Sequence, residues 1–488
     1  MPSSDGSEGA SFSAVGMAER RRQQRTEGKT RRRGWRRRIL YVLAVVWAIA
    51  CLGSIFAAYR SSQSAAEGAR TLRAGFATID TDTLRPVVDD FDNVVRRLDD
   101  PWLRPVRIVP WVGRQINTVH DMAEAGSTAV GAGITALNAV DAASLDEPAA
   151  ALVVAADALT VAVRDLGGVD VPSGRWLIGP VADARLELLD GLNEIGVQLG
   201  RYEALANGLS QLSNGESTYL VAAANTSEMG SASGMLLQLG TMELDAGSVV
   251  VSDFVSIGQL GRPSGVEISD STRLLWATTD PGHLWQYTSH LSSRGSEVAR
   301  IAADMWEADQ GIALDGVLII DPVAMQVLLQ ASGVESIEVG DDTLATDAVA
   351  DFFALDQYSA FDDDNDQRVS TIAPVASAAL LALFQGDSDP RQLVSGLYEA
   401  FDSRHLMLWS RDEALQERWL VAGAAGDPAA NAVKVALANV GGNKLDQFLE
   451  IDVEVVVLGE QELRLNISVL NAAPFDAVTY VLGGARPA

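Results

Sequence analysis

The residues with most chemical potential in this chain are arginines standing in acidic surroundings: Arg262, Arg273, Arg368, Arg404 and Arg411. A guanidinium fork meets phosphate or carboxylate oxygens two at a time, so any two that converge would make an anion site. The alternative for each is an ion pair at the surface with one of the chain's many carboxylates. Arg368 closely follows the run Asp362, Asp363, Asp364, Asn365, Asp366, whose oxygens could gather a divalent cation. As an EF-hand loop the run fails, because Gln367 stands where glycine must turn and Ala373 where a bidentate glutamate belongs. The competing reading is a solvated loop that caps the next helix.

Other chemistry is excluded by spacing. His120, His283, His290 and His405 lack ligand spacing and have no cysteine partners, which argues against zinc. The stretch Gly230–Gly234 carries Ala232 at its centre, where a nucleophile elbow needs serine, so its glycines serve a turn or a close backbone approach. No lysine follows a glycine-rich loop, which removes the P-loop. No nucleophile–base pair and no metal-ligand set can be assigned.

The elements that must position these side chains change character along the chain. Residues 60–210 are rich in Ala, Leu and Val, with apolar residues recurring at three and four, and read as a helical stalk and bundle. Prolines at Pro86, Pro101, Pro105 and Pro110, and again at Pro172 and Pro180, mark breaks between helices. Residues 217–426 alternate strands and helices, which implies a mixed α/β domain. Its hairpin turns at Asp245-Ala246-Gly247, and a helix is expected over Ser296–Ala308. Strand Gly316–Ile320 passes through the N-cap Asp321 and Pro322 into a helix stopped by Gly333; a strand follows at Ser336–Val339. Further helices fit Asp347–Ala354, Val369–Phe384 and Arg391–Phe401. Residues 430–488 return to strands, a hairpin around Gly459-Glu460 and a third strand in VTYVLG, which would make an incomplete sandwich. The fold class is therefore α+β, or mixed α/β.

Ahead of all this runs Ile39–Tyr59, uncharged until Arg60 and, as a helix, about 30 Å long, the thickness of a bilayer's hydrocarbon core. Residues 1–38 hold eleven Lys/Arg against four Asp/Glu, a flank that the positive-inside rule keeps in the cytoplasm. The expected protein is single-pass in the plasma membrane, with an extracytoplasmic C-terminal portion. The single cysteine, Cys51, ends a loose lipoprotein-like AIAC, but the apolar run continues past it and a signal anchor fits better. The formal net charge of the chain is −28, and setting aside the tail's +7 leaves about −35 beyond it, which argues against nucleic acid or anionic lipid headgroups as partners of the exterior. Only Lys29, Lys434 and Lys444 are lysines.

The stretch TYLVAAANTSEMGSASGMLLQLGTMELDAGSVVVSDFVSI resembles the signature of a bacterial, mainly actinobacterial, domain-of-unknown-function family (four-zero-one-two) of single-span envelope proteins. The blocks DGVLIIDPVAMQVLLQASGVESIEV, FDDDNDQRVSTIA, SRHLMLWSRDEALQ and NVGGNKLDQF follow in that family's order. Two departures stand out. Gly230 occupies the place of an arginine, and Ser233-Gly234 that of a double glycine. More remotely the core is similar to LytR–CpsA–Psr phosphotransferases, through Asp315–Val339 and the acidic-then-arginine pattern Asp366–Arg368. The resemblance implies an envelope protein that binds a lipid-linked or cell-wall glycopolymer, and it carries over Asp366 and Arg368; Asn225, Glu228, Asp253 and Arg404 stand beside them as ligand-binding candidates. Two alternatives stay open. One is a structural or scaffolding module that engages other envelope proteins. The other is an active glycopolymer phosphotransferase, in which Arg368 and Arg404 neutralise a polyprenyl-linked pyrophosphate and Asp366 or Asp253 holds Mg²⁺. Outside that last reading no cofactor is expected.

Overall fold

Proline sets the start of helix after helix. A computed structural model describes residues 81–142, 148–339, 342–361, 365–385, 390–459, 462–474 and 481–482, with isolated residues between Leu43 and Ala58. In it α2 (Pro110–Ala142), α3 (Pro148–Gly167), α6 (Pro322–Ala331) and α8 (Pro390–Asp402) each begin on a proline, where the missing N–H costs nothing. Pro86 behaves otherwise: it lies inside α1 (Thr81–Leu98), not at a break, and removes one backbone bond from a helix that continues past it. Helix α4 (Gly179–Asn214) completes the helical region. The chain divides into two compact units. Among the described residues, one holds Arg85–Ser127 and Asp170–Leu189, and the other holds Thr128–Val169 and those from Asp190 on.

In the first unit Val94, Leu98, Leu103, Ile116 and Ala123 bury together with Cys51 and Ala58. Most of the apolar run 39–59 lies outside the described residues. Among the described residues no helix is long and apolar enough to cross a membrane.

The second unit is a mixed α/β structure around one six-stranded sheet. Strands β1 (Glu216–Met229) and β2 (Gly234–Asp245) pair antiparallel, and β3 (Ser248–Val251) and β4 (Val255–Ser256) pair with β2. Strand β5 (Gly316–Ile320) lies parallel to β1, and β8 (Leu406–Ser410) antiparallel to β5. The turn at Ala246-Gly247 has positive φ at both positions, as a tight hairpin demands. Alternate residues of β1 serve two cores, because both faces of the sheet are covered. Tyr219, Val221 and Ala223 face α6, α7 (Asn365–Gln385), α8 and α9 (Glu413–Ala422). Leu220, Ala222 and Ala224 face Val298, Ile301 and Met305 of α5 (Gly295–Gln310).

Strand β6 (Ser336–Val339) pairs with β7 (Asp342–Ala345) apart from the main sheet. The helix expected over Asp347–Ala354 is irregular, a 3₁₀ turn at Thr346–Ala348 leading to helix through 360 with a π turn at Phe352–Asp356. The C-terminal hairpin pairs β9 (Leu449–Gly459) with β10 (Glu462–Asn471). Ile451, Val453, Val455 and Val457 stand opposite Val469, Ile467, Leu465 and Leu463, so one face is wholly apolar, and all eight side chains are exposed. The third strand expected in VTYVLG lies outside the described residues, except for Val481 and Leu482 in a turn.

Candidate functional site

Strands β1 and β5 run parallel, so their carboxyl ends share one edge of the sheet, and the start of the antiparallel β8 joins them there. Ala223 stands opposite Ile320, and Ile320 opposite Leu406. The edge therefore gathers Asn225, Asp321, Arg404 and His405, residues far apart in sequence. In open α/β sheets this carboxyl edge is where ligands bind.

Asp321 is buried and caps α6, its Oδ1 accepting the N–H groups of Val323 and Ala324. Its Oδ2 lies 2.6 Å from His405 Nδ1, and the two backbones join through Asp321 N–H to the His405 carbonyl. Burial opposes the His405 cation. Asp321, by hydrogen bond and charge, and then Glu399 outweigh it, so the imidazole pKa is raised. Nδ1 is thereby committed, and Nε2 is the ring nitrogen with no hydrogen-bond partner among the described residues.

Arg404 precedes this histidine in a left-handed backbone conformation, φ 63°, which a non-glycine residue adopts at a cost. Among the described residues its guanidinium has no hydrogen-bond or ion-pair partner. Its electrostatic neighbour is Lys434, a second cation. The Lys434 ammonium is pushed down to about 8, chiefly by burial and then by the Arg404 charge, with Asp427 opposing. Two cations held near one another and half out of water form an incomplete arrangement that an anion would complete.

Lys434 sits on an extended strap, residues 427–445, that crosses this edge. At one end Asp427 accepts from Ser296 N–H and Oγ–H at the start of α5 and pairs with Arg294. Lys434 Nζ donates to the Ser293 carbonyl at 2.6 Å. Further along, Asn439 N–H donates to the Met229 carbonyl, and the Asn439 carbonyl bonds His290 Nε2 at 2.9 Å. Beyond it, Asp446 accepts from Met229 N–H at 2.6 Å and from Asn439 Nδ2 at 2.9 Å. Lys444 contacts Glu228 in a buried ion pair, with burial lowering its ammonium pKa and Asp446 opposing that shift.

The candidate residues named from sequence separate into distinct groups. Asn225 is buried at the edge, with Nδ2 donating to Tyr358 Oη and Oδ1 accepting from Ser227 N–H. Both ends of its amide thus have partners within the chain. Glu228 likewise has a partner within the chain, Lys444. Asp253 is exposed in the loop after β3. Asp366 and Arg368 start α7, but their side chains, like residues 362–364, lie outside the described ones. Arg404 alone stands at the edge with its charge free. Arg411 lies at the opposite edge, paired with Glu307 at 2.8 Å and stacked over Trp409, while Arg262 and Arg273 are exposed. Convergence of two arginines is therefore not seen among the described residues; a lysine takes the second place.

Gly230 and Gly234 fulfil the close approach expected of them. A Cβ at Gly230 would overlap Ser289, and one at Gly234 would overlap the Asn225 backbone. An arginine at position 230 could not fit this packing unchanged. A surface cleft of about 380 Å³ lies beside α5, lined by Glu267, Asp304 and Glu307 among others, and its acidity suits no anion. His120, Asp121 and Glu124 fall together in the first unit, at one-turn spacing on α2, with ligand atoms within 4.8 Å of one another. This is a grouping the histidine spacing alone did not reveal.

Sequence reasoning missed Lys434 and the His405–Asp321 pair. A signal for the first was present: in a chain that uses arginine almost throughout, both lysines beyond the basic tail lie on this strap.

Residues 214–358 match the family model described as "Protein of unknown function (DUF4012)". The match includes Asn225, Glu228 and Asp321 but stops short of Arg404, His405 and Lys434. Comparison with curated proteins and with solved structures returned no match.

Proposed function

We propose that this is a membrane-anchored, extracytoplasmic envelope protein that binds a lipid-linked or cell-wall glycopolymer through its phosphate groups, at the carboxyl edge of the sheet. The observation that carries the reading is the Arg404 guanidinium, uncompensated among the described residues and held in a strained conformation beside Lys434. A phosphodiester or pyrophosphate would supply the missing charge, with Arg404 offering a fork and Lys434 a point charge. His405, oriented by Asp321, would add a third donor when protonated. The apolar run 39–59 and its basic flank supply the anchor and the orientation. The likeness to LytR–CpsA–Psr enzymes noted from sequence belongs to the same reading and supplies its substrate class.

The transferase alternative asks for a magnesium site. The carboxylates described near this edge are already engaged: Asp321 by a helix start and His405, Glu228 by Lys444, and Asp446 by Met229 and Asn439. That donor set does not fit a metal needing several free oxygens. The scaffolding alternative draws on the exposed apolar face of the β9–β10 hairpin.

The test is mass spectrometry of lipids that co-purify with the detergent-extracted protein, beside an Arg404→Ala variant. A polyprenyl phosphate bound to the wild type and lost from the variant is the expected result. Bulk phospholipid alone in both samples would overturn the reading.

A further inference from the structure

The C-terminal hairpin is tied to the rest of the second unit at its base. Ala472 N–H donates to the Phe448 carbonyl there, and the chain beyond returns to the strap, where the Val481 carbonyl accepts Lys444 N–H. Every residue of β10 is exposed, and of β9 only Leu449 and Val456 are partly covered. A two-stranded ribbon with water on both faces is marginal by itself, because it orders roughly twenty residues and buries little apolar surface in return.

The pairing register sorts the two faces of this ribbon. The four pairs from Ile451–Val469 to Val457–Leu463 are wholly aliphatic. The reverse face sets Glu450, Asp452 and Glu454 against Leu470, Ser468 and Asn466, with Asn466 Nδ2 donating to Glu454 at 2.7 Å. One face is therefore already suited to water and the other is not.

Composition narrows what can cover the aliphatic face. Residues 449–471 contain no aromatic side chain, and Arg464 is their one basic residue against five acidic ones. A lipid interface is met instead by Trp and Tyr with Lys and Arg around them. A glycopolymer, whose surface is hydroxyl and phosphate, would give up hydrogen bonds to water against these side chains and regain none. The covering surface is thus protein, aliphatic and free of charge, and the hairpin itself has that surface. A face that complements itself is what a two-fold pair requires. Its extent agrees: the eight side chains are 38–71% exposed, on the order of 700 Å² per copy, and two copies would bury about 1,400 Å², inside the ~1,200–2,000 Å² of a specific stable interface.

We infer that two copies of this chain associate through the aliphatic face of the β9–β10 hairpin, closing two ribbons into a four-stranded sandwich. Sheets packed in this way lie about 10 Å apart, and the carboxylates of both reverse faces stay in water. The association uses none of the residues at the carboxyl edge of the main sheet, so it stands or falls apart from the anion site.

The test crosslinks the full chain in a detergent-free lysate of the expressing cells, so that no micelle covers the face. Cys51→Ser removes the native thiol, and Val455→Cys or Asp452→Cys places one on the aliphatic or the reverse face. Val455 lies one residue from the middle of the face, so in either two-fold arrangement a bismaleimide about 10–13 Å long spans its two copies. Val455→Cys should give a covalent dimer of twice the 51.7 kDa chain, and Asp452→Cys severalfold less. Adding Val453→Lys/Ile467→Lys to Val455→Cys should abolish the dimer; both positions are exposed in the single chain, which can carry lysine there. The comparison of the two cysteine positions does not depend on that variant. Equal dimer from both positions, a crosslinked product of another mass, or no product at all overturns the inference, as does a dimer that survives the two lysines.

Discussion

Replacing Lys434 tests the anion site most sharply, because its effect depends on pH in a way that simple structural damage would not imitate. In the free protein the Lys434 ammonium titrates near 8, so at neutral pH it is mostly charged and able to pair with phosphate. A hydrogen bond to a charged group contributes about 1.5–3 kcal/mol, so Lys434→Met should weaken binding of a dialkyl pyrophosphate by roughly 10- to 150-fold. That probe keeps its charge throughout the range, so any pH dependence comes from the protein. As pH rises above about 8 the wild type loses the bound proton, and affinity should fall by about tenfold per unit until the ligand-bound pKa is reached. Lys434→Met should lose the fall that Lys434 causes above pH 8 and keep only the slope that His405 contributes, since Arg404 stays charged. Lys434→Arg should restore neutral-pH affinity to within a few fold with the same reduced slope. Isothermal titration calorimetry on the detergent-solubilised full chain from about pH 7 to 10 reads all three. Wild-type affinity that is constant over this range, or Lys434→Met binding as tightly as wild type at neutral pH, would refute the reasoning.

Three further outcomes follow from the packing. Gly234→Ala should destabilise the fold by about 1–3 kcal/mol, because the new methyl meets the Asn225 backbone, which cannot swing aside; thermal unfolding beside an Ala substitution at the open Gly311 C-cap would separate steric from conformational cost. Trp419→Ala should cost about 3–5 kcal/mol in urea unfolding, since the ring is fully buried and its Nε1 donates to Ser410 Oγ at 2.8 Å; a loss under 1 kcal/mol would show that the site collapses freely. The raised pKa of His405 gives a signed pH effect. Its contribution is complete below the unfolded value near 6.5 and fades as pH rises through the folded value, so His405→Gln should cost more stability at pH 5.5 than at pH 8.5. An equal cost at both would remove the Asp321 ion pair from the account.

Much of the second unit is legible in sequence where local rules act alone. Strand Gly316–Ile320 and the cap Asp321-Pro322 emerge with the bounds read from the residues, because a strand buried on both faces is continuously apolar and a capped start is local chemistry. Strand β8 escapes the same reading. Its five residues sit between a helix end and Arg411 and become a strand only by pairing with β5 at long range. Of the site, Arg404 is legible as a cation in acidic company. Lys434 is not, because its neighbour is fixed by a strap whose anchors, Ser293, Ser296 and Met229, are more than a hundred residues upstream. The internal use of Asn225 and Glu228 is hidden for the same reason: a polar side chain in a signature gives no sign of whether its partner is a ligand or another part of the chain.

The position of β5 in the sheet bears on how this chain survives its own synthesis. Gly316–Ile320 is uncharged and apolar throughout, and its free edge is closed only when Leu406–Ser410 arrives. Roughly 90 residues separate the two, on the order of 4–18 s of translation at about 5–20 residues per second. For that interval an open strand edge, guarded only by the flanking Asp315 and Asp321, is available to any neighbouring chain. A holdase that covers this edge until Leu406–Ser410 arrives would therefore govern yield more than the stability of the finished fold.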